Sequence, residues 1–119
     1  MRLAAKKYLF DIQRAASLIT EFVSRKRFED YRAEALLRSA VERQFEVIGE
    51  ALAQLARLDQ AIMARISEHR RIIAFRNILI HGYAEVDDRI VWDIIETKLP
   101  ILRREIADLL GADPPESRT

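Results

Sequence analysis

Cysteine is absent from this chain of 119 residues, and histidine occurs only twice. Without cysteine there can be no disulfide, no thiolate metal site and no cysteine nucleophile, which suits a reducing compartment. His69 and His81 lack the HxxxH or HExxH spacing of metal sites, so we predict neither a metal nor another cofactor. No apolar stretch approaches the roughly 20 residues of a membrane span, and we expect a cytoplasmic protein.

An excess of charge of either sign is also missing, because the formal net charge is +1. The field of the whole molecule therefore attracts no polyanion, and any such site must come from a local cluster. The basic residues are 16 Arg and 4 Lys. Arginine suits two-pronged contacts with phosphate, although the base composition of a genome is the simpler explanation for the bias.

Only three glycines and three prolines interrupt the chain, which predicts an all-α protein. Apolar residues recur at helical spacing between short polar connections, which is typical of an antiparallel up-and-down bundle of four to five helices. We predict a single domain over residues 1–110 and a polar, mobile tail over residues 111–119. The predicted helices cover roughly residues 3–24, 31–58, 60–66, 68–81 and 88–110.

The ends of these helices carry residues that favour caps and stops. The predicted N-terminal caps are Asp30, Asp59, Ser67 and either Asp87 or Asp88. Gly82 is a natural end for the fourth helix, whereas the apolar spacing continues through Pro100, which predicts a kink. Gly49 lies inside the second helix, where it costs about 1 kcal/mol relative to alanine, and close helix packing would explain it.

Residues 76–83 read RNILIHGY and place several polar groups on an apolar helix. The helical neighbours of Arg76 are Ile72, Ile73, Leu79 and Ile80, so Arg76 should lie on the buried stripe, where a charge needs a partner. Asn77 shares that stripe by spacing, and His81 follows it by one turn. The alternatives are a functional site, or a structural arginine paired with a carboxylate of the first or second helix while His81 caps carbonyls.

Gln44 is a second polar residue on an apolar helix face. Its helical neighbours are Ala40, Val41, Val47 and Ile48. An unsatisfied buried amide costs on the order of 1–3 kcal/mol, so we expect Gln44 to meet a polar partner or to line a wet cleft. His69 lies among charges in SEHRR and is predicted to be a surface residue.

An imidazole and a guanidinium suit one reaction in particular. Histidine can take or give a proton, and arginine can stabilise charge that develops on a phosphate. Together they suit metal-free cleavage of RNA, in which the neighbouring 2′-hydroxyl is the nucleophile. One imidazole per chain would have to act as both the base and the acid, whereas a twofold dimer would supply a second imidazole.

The motif and its flanks together resemble a known family. RNILIHGY, with VERQFEVIGEAL before it and VDDRIVWDIIETKLPIL after it, is similar to the HepT-like branch of the HEPN superfamily. The resemblance covers roughly residues 8–110. Many relatives carry a Pro-Trp pair before the motif helix, where this chain has SEHRRIIAF, so the start of that helix is expected to differ.

The resemblance implies a homodimeric helical bundle acting as a ribonuclease toxin of a type II toxin–antitoxin pair. Arg76 and His81 match the catalytic pair, Asn77 the polar position after the arginine, and Tyr83 the motif tyrosine. The implied partner is an MntA-like nucleotidyltransferase antitoxin that transfers AMP to Tyr83, which would repel and occlude an RNA phosphate. The resemblance also implies that Arg76 and His81 of two protomers line one cleft at the dimer interface, and we expect Gln44 to be a further lining residue of that cleft.

Two other functions remain open at this point. The bundle could be a non-catalytic module that docks a nucleotidyltransferase, with Arg76 and His81 only holding a dimer together. A nucleotide-binding sensor is a third possibility, but the chain has no glycine-rich phosphate loop. Arg70 and Arg71 could extend a basic rim for RNA, although a solvated helix start is the simpler interpretation.

Overall fold

A computed structural model describes residues 1–82 and 86–112 of the chain. This part is helical and contains no strand, which confirms the all-α prediction. The helices are α1 (Leu3–Phe22), α2 (Phe28–Ala33), α3 (Ala35–Leu58), α4 (Gln60–Met63), α5 (His69–His81), α6 (Asp88–Thr97) and α7 (Leu99–Ala112). None of these helices is both long and apolar enough to cross a membrane.

Helix α3 is the centre of the bundle and contacts α1, α2, α4 and α5. Ala4 at the start of α1 lies beside Leu58 at the end of α3, while Leu18 lies beside Gln44, so these two helices run antiparallel. Helix α7 also packs against α1. The core consists of apolar side chains from these helices, among them Leu9, Ile12, Ile19, Phe45, Ile48, Leu52, Leu55 and Leu102.

Two predicted helices are each divided in the structure. The helix predicted over residues 31–58 is broken at Glu34, which adopts an extended backbone between α2 and α3. The break lets α2 turn aside, so that Tyr31 lies against Trp92 of α6 with ring centroids 5.5 Å apart. The last helix is divided at Lys98, two residues before Pro100, and the chain continues beyond it, as the predicted kink required.

Two of the predicted caps are wrong. Asp30 lies inside α2 rather than before a helix, where its carboxylate accepts a hydrogen bond of 2.8 Å from the Arg27 backbone N–H. Ser67 does not cap α5, because Glu68 holds the N-cap position. The backbone N–H of Ser67 instead donates to the Glu105 carboxylate of α7, at 3.2 Å from each oxygen.

The other two predicted caps and the predicted end at Gly82 are confirmed, whereas the helices predicted over residues 3–24 and 60–66 end earlier, at Phe22 and Met63. Asp59 accepts from the Ile62 backbone N–H at 3.1 Å and so caps α4. Asp87 accepts from the Arg89 backbone N–H at 2.8 Å and caps α6. Helix α5 ends before Gly82, whose N–H donates to the Ile78 carbonyl at 2.8 Å, with φ of −128° rather than a left-handed value.

Candidate active site

The site begins where α3 and α5 pack against each other. A Cβ on Gly49 would lie 2.6 Å from the Cγ and 3.3 Å from the Cδ of Arg76, and closer still to its Cβ. Real side chains do not approach so closely, so the absent side chain of Gly49 makes room for the stem of Arg76. This confirms close helix packing as the reason for a glycine inside α3. It also fixes where Arg76 enters the interface.

The guanidinium of Arg76 is held by groups from both helices. Its Nη2 donates to Glu50 on α3 in an ion pair, and its Nη1 donates to Asn77 Oδ1 at 3.1 Å. Its Nε is buried and has no hydrogen-bond partner among the described residues. The Arg76 side chain keeps 24% of its exposure, against 49% for Glu50. Arg76 is therefore largely enclosed, and its terminal nitrogens lie at the margin of the bundle.

This arrangement bears on the two alternatives left open by the sequence. Glu50 belongs to the second predicted helix, so the carboxylate partner expected of a structural arginine is present. However, Glu50 is half exposed, and an ion pair in that setting contributes at most about 1 kcal/mol. The pair therefore does not by itself account for a charge placed on an otherwise apolar helix face.

The buried stripe of α5 is narrower than its sequence predicts. Only Ile72, Phe75 and Leu79 are fully buried, because α3 is the principal neighbour of α5 in the described structure. Asn77 is exposed, so its predicted place on the buried stripe is wrong. Ile78 and Ile80 are also open to solvent, at 48% and 40% exposure. The face of α5 that points away from α3 thus combines polar motif residues with uncovered apolar ones.

His81 is the last residue of α5, and its side chain is exposed. Among residues 1–82 and 86–112, the His81 side chain makes no hydrogen bond to Arg76 and caps no carbonyl. On an ideal helix, residues five apart differ by about 140° in direction and about 7.5 Å along the axis. One chain therefore presents the imidazole and the guanidinium in different directions. Tyr83, the predicted site of AMP transfer, lies outside the described residues.

Gln44 occupies a different surface of α3. It is half buried and lines a cleft of about 330 Å³ between α1 and α3, together with Asp11, Arg14 and Arg43. The amide therefore borders a cleft, but not the one that was expected to hold Arg76 and His81. Gln44 and Gly49 are five positions apart, so they point in directions about 140° apart around α3. The structure does not bring Gln44 to Arg76.

Acidic residues follow one edge of α3 beside the site. Glu42, Glu46 and Glu50 recur at intervals of four residues, and Glu46 pairs with Arg43 at 3.6 Å. Burial raises the pKa of Glu42, and the nearby charges of Asp88 and Glu46 raise it further, while Arg38 opposes the shift. The described residues contain no group of three or more His, Asp or Glu side chains that could hold a metal ion.

The buried Tyr31 lies near this acidic edge. Burial raises the pKa of its phenol above the ordinary value, and the charges of Glu42 and Asp88 add to the shift. Its hydroxyl has no hydrogen-bond partner in the part of the chain that the structure describes. Tyr31 is therefore a packing residue held in its neutral form.

Comparison with protein families identifies the fold to which this geometry belongs. The model of the family described as "Ribonuclease HepT-like" matches residues 12–109, nearly all of the described chain.

The chain belongs to the ribonuclease HepT-like family.

Individual relatives of this HepT-like chain cover almost its whole length. A protein of Thermococcus cleftensis named "Probable ribonuclease HepT" is 33% identical over 92% of this chain and 98% of the relative. A candidate RNase of Caldanaerobacter subterraneus subsp. tengcongensis is 30% identical over 88% of this chain and 93% of its own. A candidate RNase of Methanocaldococcus jannaschii is 28% identical, covering 85% and 92% respectively. No solved structure gives a significant match.

Glu50 is the residue of this HepT-like site that the sequence reasoning missed. Nothing in its type distinguishes it from the other glutamates of α3. The sequence feature that could have indicated Glu50 is the preceding glycine. Gly49 marks the helix crossing, and the next residue lies at the rim of that crossing. A charged residue beside a packing glycine can therefore indicate the partner of an arginine on the facing helix.

Proposed function

We propose that this HepT-like chain is a metal-independent endoribonuclease, acting as the toxin of a type II toxin–antitoxin pair. The observation that carries the proposal is the placement of Arg76. Its stem is enclosed at the crossing of α3 and α5, while its terminal nitrogens lie at the margin, on the helix that ends in the exposed His81. Membership of the ribonuclease HepT-like family supports RNA as the substrate.

The chemistry follows from the two side chains. The 2′-oxygen of a ribose forms a bond to the adjacent phosphorus while the bond from phosphorus to the 5′-oxygen breaks. A base takes the 2′-proton, and an acid protonates the leaving 5′-oxygen, which yields a 2′,3′-cyclic phosphate and a 5′-hydroxyl. We assign proton transfer to His81 and stabilisation of the phosphorane charge to Arg76. Asn77 orients the guanidinium, since it accepts from Nη1.

A second copy of the chain would complete this site. One chain directs Arg76 and His81 apart and offers a single exposed imidazole. The uncovered Ile78 and Ile80 flank the motif and are apolar enough to favour association. A homodimer formed over this face of α5 would bring two imidazoles to one phosphate, one as base and one as acid.

Regulation by a partner is part of the same proposal. An MntA-like nucleotidyltransferase would act as the antitoxin and transfer AMP from ATP to the hydroxyl of Tyr83, with release of pyrophosphate. The phosphate of that group would add negative charge close to the motif. It would compete with the RNA phosphate for Arg76 and obstruct access to His81.

A second function is favoured by the ion pair between Arg76 and Glu50. If the arginine only joins α5 to α3, the chain is a non-catalytic module that docks the nucleotidyltransferase. The two functions differ in what removal of His81 would do. The His81 side chain is exposed and forms no hydrogen bond with the residues that the structure describes. Its loss should therefore leave the bundle intact under either function and abolish cleavage only under the first.

The decisive experiment uses the purified full chain, free of AMP, with RNA in the presence of EDTA. We expect the wild type to cleave RNA and to leave 2′,3′-cyclic phosphate ends. His81→Ala should lower the cleavage rate by about 10²–10⁴-fold, and Arg76→Ala by about 10²–10³-fold. His69→Ala is the matched control, since it removes the other imidazole of the chain and should cleave like the wild type.

Circular dichroism and sedimentation of each variant separate the two functions. Intact, folded dimers that no longer cleave RNA support the nuclease. Equal cleavage by the wild type and His81→Ala, or no cleavage by the wild type, contradicts it and favours the docking module.

A further inference from the structure

We infer that Glu50 is a positioning residue that fixes the guanidinium of Arg76 for phosphate. The inference rests on the proposed nuclease function and deepens it. Glu50 lies outside the RNILIHGY motif and on another helix, yet it is the one carboxylate that the structure pairs with Arg76 among the described residues.

The stem of Arg76 is enclosed at the helix crossing. The Cβ, Cγ and Cδ atoms of Arg76 lie against the backbone of Gly49, in the space that a side chain there would occupy. A stem enclosed in this way cannot swing without parting α3 from α5. The remaining freedom of Arg76 is rotation of the guanidinium at its end. Whatever fixes that rotation decides where the N–H groups point.

The guanidinium of Arg76 is held at both of its terminal nitrogens. An arginine has five N–H donors in a rigid plane. The Nε donor is buried without a partner among the described residues, Nη2 donates one hydrogen to Glu50, and Nη1 donates one to Asn77. Acceptors from two helices thus hold the two terminal nitrogens. One N–H on each terminal nitrogen is left for a phosphate oxygen.

Glu50 affects the position of Arg76 more than it stabilises the fold. The carboxylate of Glu50 is half exposed, and pairs of that kind contribute little to the free energy of folding. A weak contact can still matter for catalysis, because a shift of about 1 Å in a catalytic group can reduce the reaction rate 10²-fold. Glu50 therefore has more effect on geometry than on stability.

The contact of Glu50 with Arg76 does not block the guanidinium. A carboxylate that withheld the arginine from RNA would engage it through two parallel hydrogen bonds, the strongest geometry available to this pair. Glu50 contacts Nη2 alone, and Asn77 engages Nη1. Because each terminal nitrogen keeps a donor, Glu50 leaves the guanidinium open to an incoming phosphate.

The test compares three substitutions of Glu50 in the full chain with RNA. Glu50→Gln keeps an oxygen acceptor at the same reach, and we expect its kcat to stay within about threefold of the wild type. Glu50→Ala removes the acceptor, and Glu50→Asp withdraws it by one methylene. Both should lower kcat about 10-fold to 100-fold without raising KM. Glu46→Ala is the matched control, because it removes the same charge one turn away and should behave as the wild type.

A second readout follows the guanidinium directly by ¹⁵N NMR. Hindered rotation should give Arg76 resolved Nη signals in the wild type, Glu50→Gln and Glu46→Ala, and averaged signals in Glu50→Ala and Glu50→Asp. The signals are assigned by their loss in Arg76→Lys. If Glu50→Ala does not fold, the comparison of Glu50→Gln with Glu50→Asp decides the matter by the same two readouts.

Several results would overturn the inference. A rise in kcat for Glu50→Ala would mean that the carboxylate withholds the arginine. An equal loss in Glu50→Gln and Glu50→Ala, with loss of the acidic limb of the pH–rate profile, would mean that Glu50 transfers a proton. Absence of RNA cleavage by the wild type would instead contradict the proposed function, and the NMR comparison would still show whether Glu50 fixes Arg76.

Discussion

Gly49 and Arg76 share one space at the crossing of α3 and α5, the first by lacking a side chain and the second by filling the gap. We predict that Gly49→Ala displaces the arginine. The new methyl group would overpack the crossing at a cost of about 1–3 kcal/mol, partly offset by about 1 kcal/mol of better helix propensity. Urea denaturation should show lower stability, and the RNA cleavage rate should fall.

Gly111 provides the matched control for that substitution. It lies near the end of α7, and a Cβ there would meet nothing within 4 Å. Gly111→Ala should therefore gain up to about 1 kcal/mol from helix propensity and leave cleavage unchanged. If Gly49→Ala stabilises the protein to the same extent, the close crossing of α3 and α5 is not present in solution.

Glu42 should make the stability of the fold depend on pH. Burial, Asp88 and Glu46 raise its pKa in the folded state above the unfolded value. Below the unfolded pKa the carboxyl is protonated in both states and costs nothing. Stability is lost as pH rises through the folded pKa, because the folded protein must then hold an unfavourable carboxylate.

Glu42→Gln should therefore raise the melting temperature at about pH 7, and its difference from the wild type should vanish at about pH 4. Glu21→Gln, at an exposed position on α1, serves as the control and should shift the melting temperature little at either pH. A benefit of Glu42→Gln that is the same at both pH values would contradict the assigned cause.

Tyr83 gives a prediction about modification. The wild-type chain incubated with ATP and an MntA-like nucleotidyltransferase should gain the mass of one or more AMP groups and lose RNA cleavage. Tyr83→Phe should gain no mass and should escape inhibition, because it lacks the acceptor hydroxyl. Tyr8→Phe removes a phenol elsewhere in the chain and should still be modified. An adduct that persists in Tyr83→Phe places the modification on another residue.

Local sequence patterns predicted the helices and the kink near Pro100, but not the break at Glu34. The all-α fold, the cap at Asp59 and the end of α5 before Gly82 each follow from residue type and spacing. The break at Glu34 does not, because it accompanies the packing of Tyr31 on Trp92, a contact between residues more than 50 positions apart in sequence. A cap such as Ser67 fails for the same reason, since a distant Glu105 engages its backbone.

The candidate site, like the fold, could be predicted from the sequence only in part. The unusual position of Arg76 could be inferred from its apolar neighbours alone, and the close packing at Gly49 from the cost of a glycine in a helix. The exposure of Asn77 could not be inferred, because helix periodicity does not tell how many neighbours a helix has. The partner Glu50 required knowledge of how α3 and α5 cross, which is a tertiary relationship.

The motif helix α5 packs mainly against α3, so it is attached to the bundle along one side only. Forces applied to its uncovered face would reach Arg76 through the Gly49 crossing without disturbing the packing of α1 against α7. A molecule bound to that face could therefore shift α5 and change the position of Arg76 while the packing of the other helices stayed the same.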